Sequence, residues 1–324
     1  MTALAIMHRL RHRVEPPAAA EPEQLRLFSD GGVDLQALRM ERAALAQRTR
    51  SGSTRRAYAS CWADFERWCT VAGRNTLPAS ADTLSLYIVD LARRKLSVAT
   101  IEQRKSAIAE KHLSSGMDLP VNEAVREVMR AVRRRLGAAP KHAKAALSVS
   151  DLRAMLRTCG SHSRGIRDRA ILLLGFAAGL RRSEISALDV GDVELVSAGV
   201  IVQIRRSKTD QLGRGREIGV HCGRCEETCP ARAVARWIQE RGGWPGPLFV
   251  QTQAHLGALT RQRLGVRTIS ILVKEHAAAA SLAAEKYSGH SLRAGMATAA
   301  SANGADALAI MGRSGHRSVA MVQR

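Results

Sequence analysis

Between residues 46 and 136 apolar side chains return at helical spacing in successive runs: Tyr58, Trp62, Phe65 and Cys69; Leu84, Tyr87, Ile88 and Leu91; Ile101, Ile108 and Leu113; Val125 and Val132. Short polar links separate the runs. The stretch therefore predicts amphipathic helices packed into a small all-helical domain, and Tyr58 and Tyr87 count among its core candidates. Residues 1–45 lack this periodicity. With Pro16-Pro17, an alanine run and scattered charges they read as a mobile N-terminal arm, relieved by a short helix from Asp34 to Ala46. Residues 137–147 are small and basic and read as an interdomain linker.

A second pattern fills residues 148–324. Ser148 or Ser150 can cap a helix from Asp151 to Thr158. The run Gly165 to Leu180 is too apolar for a surface and predicts a helix through a core. Gly199 to Arg205 and Arg216 to Val220 alternate as two strands of a hairpin, with Lys208 near its tip. Helices are expected from Ala231 to Arg241, over the alanine-rich stretch from Leu259 to about Ala284, around His290 and Arg293, and from Asp306 to Met311. Gly312 to Gly315 reads as a turn presenting His316. The fold class expected is mainly α: an all-helical domain followed by a mostly helical one with a small antiparallel sheet.

Charge changes the picture from a generic helical protein to one with a polyanionic partner. The chain of 324 residues carries 50 basic and 29 acidic side chains, a formal net charge of +21, and duplex DNA is the default partner for such a balance. Candidate DNA contacts in the first domain are Arg48, Arg50, Arg55, Arg56, Arg93, Arg94, Lys95, Arg104 and Lys105. Arg133, Arg134, Arg135, Lys141 and Lys144 line the linker, and Arg205 and Arg206 follow the first strand of the hairpin. The longest apolar run, Ala170 to Leu180, is far shorter than the ~20 residues a bilayer requires. The short apolar stretch at Met1 to Met7 precedes its basic residues, the reverse of a secretory signal. A cytoplasmic, nucleoid-associated protein is expected.

The cysteines add a possible metal. Cys222, Cys225 and Cys229 with His221 supply ligand types suited to zinc, but all lie within one short segment, whereas structural zinc sites join separated knuckles. The alternative is a reduced loop leading into the next helix, with Cys61, Cys69 and Cys159 as core thiols.

Candidate chemistry gathers in the second domain. His290 and Arg293, three apart on a helix, share a face and can address one small anion. Arg181 leaves the end of the apolar helix with Glu184 three residues on, where a carboxylate can orient a guanidinium. Two arginines converging on one phosphate follow from this arrangement.

Gly179-Leu180-Arg181-Arg182-Ser183-Glu184, Ser207-Lys208-Thr209, His290-Ser291-Leu292-Arg293 and Gly315-His316, in that order, resemble the signature of the tyrosine recombinases, the integrase family of site-specific DNA recombinases, and most closely the Cre-like branch. The resemblance covers residues 46–324. It implies a two-domain clamp around duplex DNA and strand breakage and rejoining by transesterification, without metal or nucleotide cofactor. Arg181 and Arg293 would clamp the scissile phosphate, with Glu184 supporting Arg181. His316 would add a hydrogen bond, His290 would assist proton transfer, and Lys208 would protonate the leaving 5′ oxygen. A tyrosine would attack to give a 3′-phosphotyrosyl link. Its expected position is the one that would follow Arg324. Tyr58, Tyr87 and Tyr287 are misplaced for the attack, so residues 1–324 are expected to bind DNA without cleaving it. Family members assemble as homotetramers on paired sites through a segment beyond the tyrosine, and that assembly is expected to be weakened here. A DNA-binding regulator that kept the fold and lost the chemistry is the alternative function, and a type IB topoisomerase a third.

Overall fold

The computed structural model describes residues 34, 38, 41, 51–137, 144–207, 210, 215–253, 258–315 and 318–319. The N-terminal arm apart from three of its residues, together with Arg48, Arg50, Lys141, Lys208 and His316, lies outside the described residues. The chain divides into two compact units at Lys141/His142.

The first unit contains α1 (Gly52–Ala72), α2 (Ala81–Arg93), α3 (Val98–Ser114) and α4 (Glu123–Leu136). Each begins where a short polar side chain can satisfy an otherwise orphaned amide: Ser51, Ser80, Ser97 and Asn122 each accept from the backbone N–H three residues on. The buried face is built from Phe65, Leu84, Tyr87, Ile88, Leu91, Ile101, Ile108, Val125 and Met129. Phe65 and Tyr87 meet edge to face with centroids 5.0 Å apart. Leu113, read as a core position, is instead 62% exposed, and His112 takes the buried place. Residues 101, 108 and 112 share one side of α3, and 113 is a further 100° round. The His112 ring is accommodated because Nε2 accepts from the Ala79 N–H at 2.9 Å and Nδ1–H donates to the Ile108 carbonyl at 2.8 Å.

The second unit is organised on α6 (Ser163–Ala177), buried along most of its length. Around it lie α5 (Val149–Arg157), α7 (Arg182–Ala187), α8 (Pro230–Arg241), α9 (Val266–Ala279), α10 (Gly289–Ala302) and α11 (Ala307–Ser314). A three-stranded antiparallel sheet joins β1 (Val193–Val196), β2 (Gly199–Ile204) and β3 (Arg216–His221) in that order, with Val202 paired to Ile218. Beside it β4 (Val250–Thr252) pairs with β5 (Leu259–Arg263). Residues 144–147 run along this unit: the Ala145 N–H donates to Lys286 O and the Leu147 N–H to Ser291 O. Among the described residues no helix is long and apolar enough to cross a membrane.

Two expectations for this unit are corrected. The helix expected over Leu259 to Ala284 is split: Leu259–Arg263 is a strand and the helix begins only at Val266. The alanines that suggested helix lie beyond the strand, whose conformation is dictated by a partner segment across the loop. The turn expected over Gly312 to Gly315 is mostly helix, since α11 continues to Ser314. It stops at Gly315, whose φ of 67° is the left-handed cap that favours glycine.

α6 also carries a charged cluster that periodicity conceals. Asp168 accepts from Nε and Nη2 of Arg167 at 2.9 and 2.8 Å, and faces His276 Nε2 at 3.3 Å. On the other side of the ring Nδ1 bonds Thr158 Oγ1 at 2.7 Å, and that hydroxyl donates to Met155 O. Both ring nitrogens therefore act as donors, the pattern of an imidazolium. Burial opposes that charge, but Asp168 and Cys159 outweigh it, and the His276 pKa rises from 6.5 to about 9. A pKa higher in the folded than in the unfolded chain stabilises fully below about pH 6.5, and the gain is lost as pH rises through about 9. Chemical denaturation at pH 6 and pH 10 is expected to show about 2 kcal/mol more loss for the parent than for His276→Gln, allowing for the part of the ring that water screens. Equal losses would remove His276 from the account.

Candidate active site

Two residues past the end of the buried helix α6 lies Gly179, whose φ of +61° turns the chain so that Leu180 enters the core and Arg181 emerges at the mouth of α7. The positive φ is what asks for glycine there, since a Cβ would meet only the movable end of Met296, 2.2 Å away. Arg181 is the N-cap of α7 and Glu184 its third residue. The Glu184 carboxylate reaches back to accept from the Arg181 backbone N–H at 2.9 Å and from Arg181 Nη1 at 2.6 Å. With a side chain only 1% exposed, this carboxylate holds Arg181 rigidly.

α10 approaches the same turn because Gly295 lets it close on residues 144–147: a Cβ there would lie 2.2 Å from the Leu147 carbonyl. This contact delivers Arg293, 2% exposed, into the space between Gly179 and Ser314. Its Nη1 donates to Gly179 O at 3.0 Å and also to Ser314 O. Arg181 Nη2 donates to the next carbonyl, Gly315 O, at 2.9 Å. The two arginines thus grip successive carbonyls of the segment leading to His316. Burial, and then the Arg181 charge, lowers the Arg293 pKa to about 10. His290 lies one turn earlier, partly open to solvent, and the partial burial of its ring, followed by the Arg293, Arg181 and Arg182 charges, lowers its pKa. The neutral form of the imidazole is thereby favoured.

Arg216, which the motifs did not single out, belongs to this cluster. From the start of β3 its Nη2 donates to Glu184 Oε2 at 3.0 Å, opposite Arg181. Its Nε and Nη1 are shut off from water with no hydrogen-bond partner among the described residues, an arrangement costing about 1–3 kcal/mol for each such donor. Nη1 lies where a Cβ of residue 315 would be, 2.1 Å away. Burial, and then the Arg181 charge, lowers the Arg216 pKa. Nothing local in Arg216-Glu217-Ile218 marks the residue, because its partners come from α7 and the end of α11. A cleft of about 450 Å³ opens beside the cluster, lined by Glu184, Leu188, Gln203 and Arg206 among others.

Neither Lys208 nor His316 lies within the described residues, but their neighbours do. Ser207 and Asp210 exchange backbone hydrogen bonds of 3.4 and 3.1 Å across the two residues between them, and the Asp210 carboxylate accepts from the Gly215 N–H at 2.7 Å. Tyr287 is 8% exposed, with its hydroxyl donating to Asp151 at 3.0 Å. Tyr87 donates to Asp64 at 2.7 Å, and burial raises its pKa.

The candidate DNA cations fall into two groups. Arg55, Arg56, Arg93, Lys95, Arg134, Arg135 and Arg206 are exposed and have no acidic partner among the described residues. Arg94 lies 3.5 Å from Asp90, Lys105 2.8 Å from Glu102, and Arg205 2.6 and 2.8 Å from Asp189 and Asp192. Arg133 pairs with Glu102. Lys144 donates to Glu285 O at 2.7 Å. Arg104 does not project to solvent: 17% exposed, it is bound to Asp64 and to the Tyr87 hydroxyl.

The thiols do not assemble a metal site among the described residues, where no three His, Cys, Asp or Glu groups converge suitably. Cys222 and Cys225 are exposed, as is His221. Cys229 is buried at the N-cap of α8, accepting from the Gly223 N–H at 3.2 Å.

Arg181 and Arg293 are thus two cations fixed close together on the carbonyls of one segment. Residues 145–324, which include the whole cluster, match the model of the phage integrase family. This chain belongs to that family. Its members, the tyrosine recombinases, are site-specific enzymes that break and rejoin DNA strands. The recombinase is 34% identical over 283 residues to an integrase/recombinase XerD homolog of Selenomonas ruminantium, covering 86% of this chain and 82% of that one. It is 29% identical over 182 residues to the recombinase Cre of Escherichia phage P1, covering 54% and 51% of the two chains. In fold it is similar to the Tn1549 transposon integrase in complex with transposon right end DNA, with a TM-score of 0.58 at 14% identity over 86% of this chain and 91% of that one.

Proposed function

We propose that this recombinase cuts duplex DNA through a 3′-phosphotyrosyl intermediate, with Arg181 and Arg293 binding the scissile phosphate. The observation that carries the reading is the pair of guanidiniums held on the adjacent carbonyls of Ser314 and Gly315. Both are anchored before substrate arrives, so little reorganisation is needed when charge develops on the non-bridging oxygens. In the reaction a tyrosine oxygen bonds to phosphorus and the bond to the 5′ oxygen breaks. His290 accepts the tyrosine proton, and Lys208 gives a proton to the departing 5′ hydroxyl. A 5′ hydroxyl of the partner strand reverses the step, conserving the phosphodiester. His316 adds a hydrogen bond to the phosphate.

The attacking group is none of the tyrosines in residues 1–324. Tyr287 is bound to Asp151, and Tyr58 and Tyr87 belong to the first unit. Incubated with a nicked duplex and then denatured, residues 1–324 are expected to give no covalent adduct, whereas the same chain carrying a tyrosine after Arg324 gives one. An adduct with residues 1–324 would overturn the assignment. No adduct from the extended chain, despite tight DNA binding, would favour a regulator that occupies DNA.

The two units embrace duplex DNA through the unpaired cations, assembling as a homotetramer on paired sites. Each phosphate neutralised contributes a slope of about −0.9 to the logarithm of affinity against the logarithm of salt concentration. Fluorescence anisotropy at several salt concentrations is expected to give a steep slope. A flat one would contradict the clamp.

A further inference from the structure

We infer that Arg216 is a positioning residue of the phosphate site: by holding Glu184 opposite Arg181 and packing beneath Gly315, it sets where the Arg181 guanidinium lies. This inference rests on the reading of Arg181 as a phosphate ligand.

Glu184 is shared. Its Oε1 accepts from Arg181 Nη1 at 2.6 Å, while Oε2 accepts from Arg216 Nη2 at 3.0 Å and from the Arg181 backbone N–H at 2.9 Å. One buried carboxylate between two guanidiniums leaves the trio a net single positive charge, concentrated on the Arg181 side where Nη2 reaches Gly315 O. Were Arg216 absent, both Glu184 oxygens would be left to Arg181 alone and would neutralise it more completely, weakening its hold on the anion. The Gly315 contact adds a second constraint, because Arg216 Nη1 occupies the space any side chain at residue 315 would need. Arg313 Nη2 donates to Gly219 O of the same strand at 2.6 Å. β3 is thereby fastened through Gly219 to the segment that precedes His316, and Arg216 lies against the same segment.

Stability does not explain Arg216. Two of its donor atoms are buried without partners among the described residues, so an unbranched apolar side chain would fill the same space without that penalty. A charge retained against the preference of the fold is the mark of a site that trades stability for function.

Orthovanadate, a tetrahedral oxyanion resembling phosphate, serves as probe in calorimetric titrations of residues 1–324. Arg181→Met is expected to abolish vanadate binding; if the parent binds no vanadate, or if Arg181→Met binds as the parent does, the phosphate-site reading fails and not the role of Arg216. Given a working site, Arg216→Met is expected to weaken vanadate about tenfold with an unchanged or raised melting temperature, and Arg216→Lys to recover part of the affinity. Affinity within twofold of the parent, whatever the melting temperature, would overturn the inference. Should Arg216→Met also lose stability, a double-mutant cycle with Glu184→Gln decides. Non-additive losses support action through Glu184, and additive losses refute it.

Discussion

Arg293→Met, made in a chain carrying a tyrosine after Arg324, is expected to slow covalent adduct formation on a nicked duplex by about 10²–10³-fold, the usual loss when one preorganised donor to a developing oxyanion is removed. Melting temperature should move by only a few degrees. The guanidinium loses its hydrogen bonds to Gly179 O and Ser314 O, but the folded chain no longer buries a third cation beside Arg181 and Arg216, and it is this burial, with the neighbouring charges after it, that lowers the Arg293 pKa to about 10. Single-turnover kinetics and a thermal melt on one preparation test both halves. A rate within tenfold of the parent would remove Arg293 from the transition state.

Glu184→Ala is expected to act in the opposite way, damaging the fold as much as the chemistry. It leaves Arg181 and Arg216 facing each other without the carboxylate that both use. Removing one partner from a buried ionic cluster costs about 3–5 kcal/mol, or roughly 10 °C for a unit of this size. Adduct formation should be lost even below the new melting temperature, because Arg181 loses both its side-chain anchor and the cap on its own amide. Glu184→Gln preserves the shape and one acceptor oxygen and should fall between. A melting temperature unchanged in Glu184→Ala would mean that the cluster is solvated, contrary to its burial.

Much of this molecule is legible along the chain. The first unit's helices follow from apolar spacing and from Ser51, Ser80, Ser97 and Asn122 at their starts, because both signals are local. The hairpin of β2 and β3 alternates openly. The pairing of Arg181 with Glu184 was visible, since a spacing of three residues at a helix start brings the side chains together without help from the rest of the fold.

What remained hidden depends on contacts between distant segments. The strand Leu259–Arg263 has no local reason to leave the helix and takes its conformation from pairing with Val250–Thr252. Arg104 looks like any surface cation until Asp64 and Tyr87, 40 and 17 residues away, close around it. Arg216 is 32 residues from Glu184 in the chain, and His276 is 108 from Asp168. Periodicity reports which face of an element avoids water, whereas the partner of a buried charge is chosen by how the elements pack. The residue types and spacings therefore carried the family and most of the helices. Only the packed fold decided that Arg216 shares the carboxylate of Glu184 and that His276 carries a proton, because both follow from low-dielectric contacts that the linear order of residues does not contain.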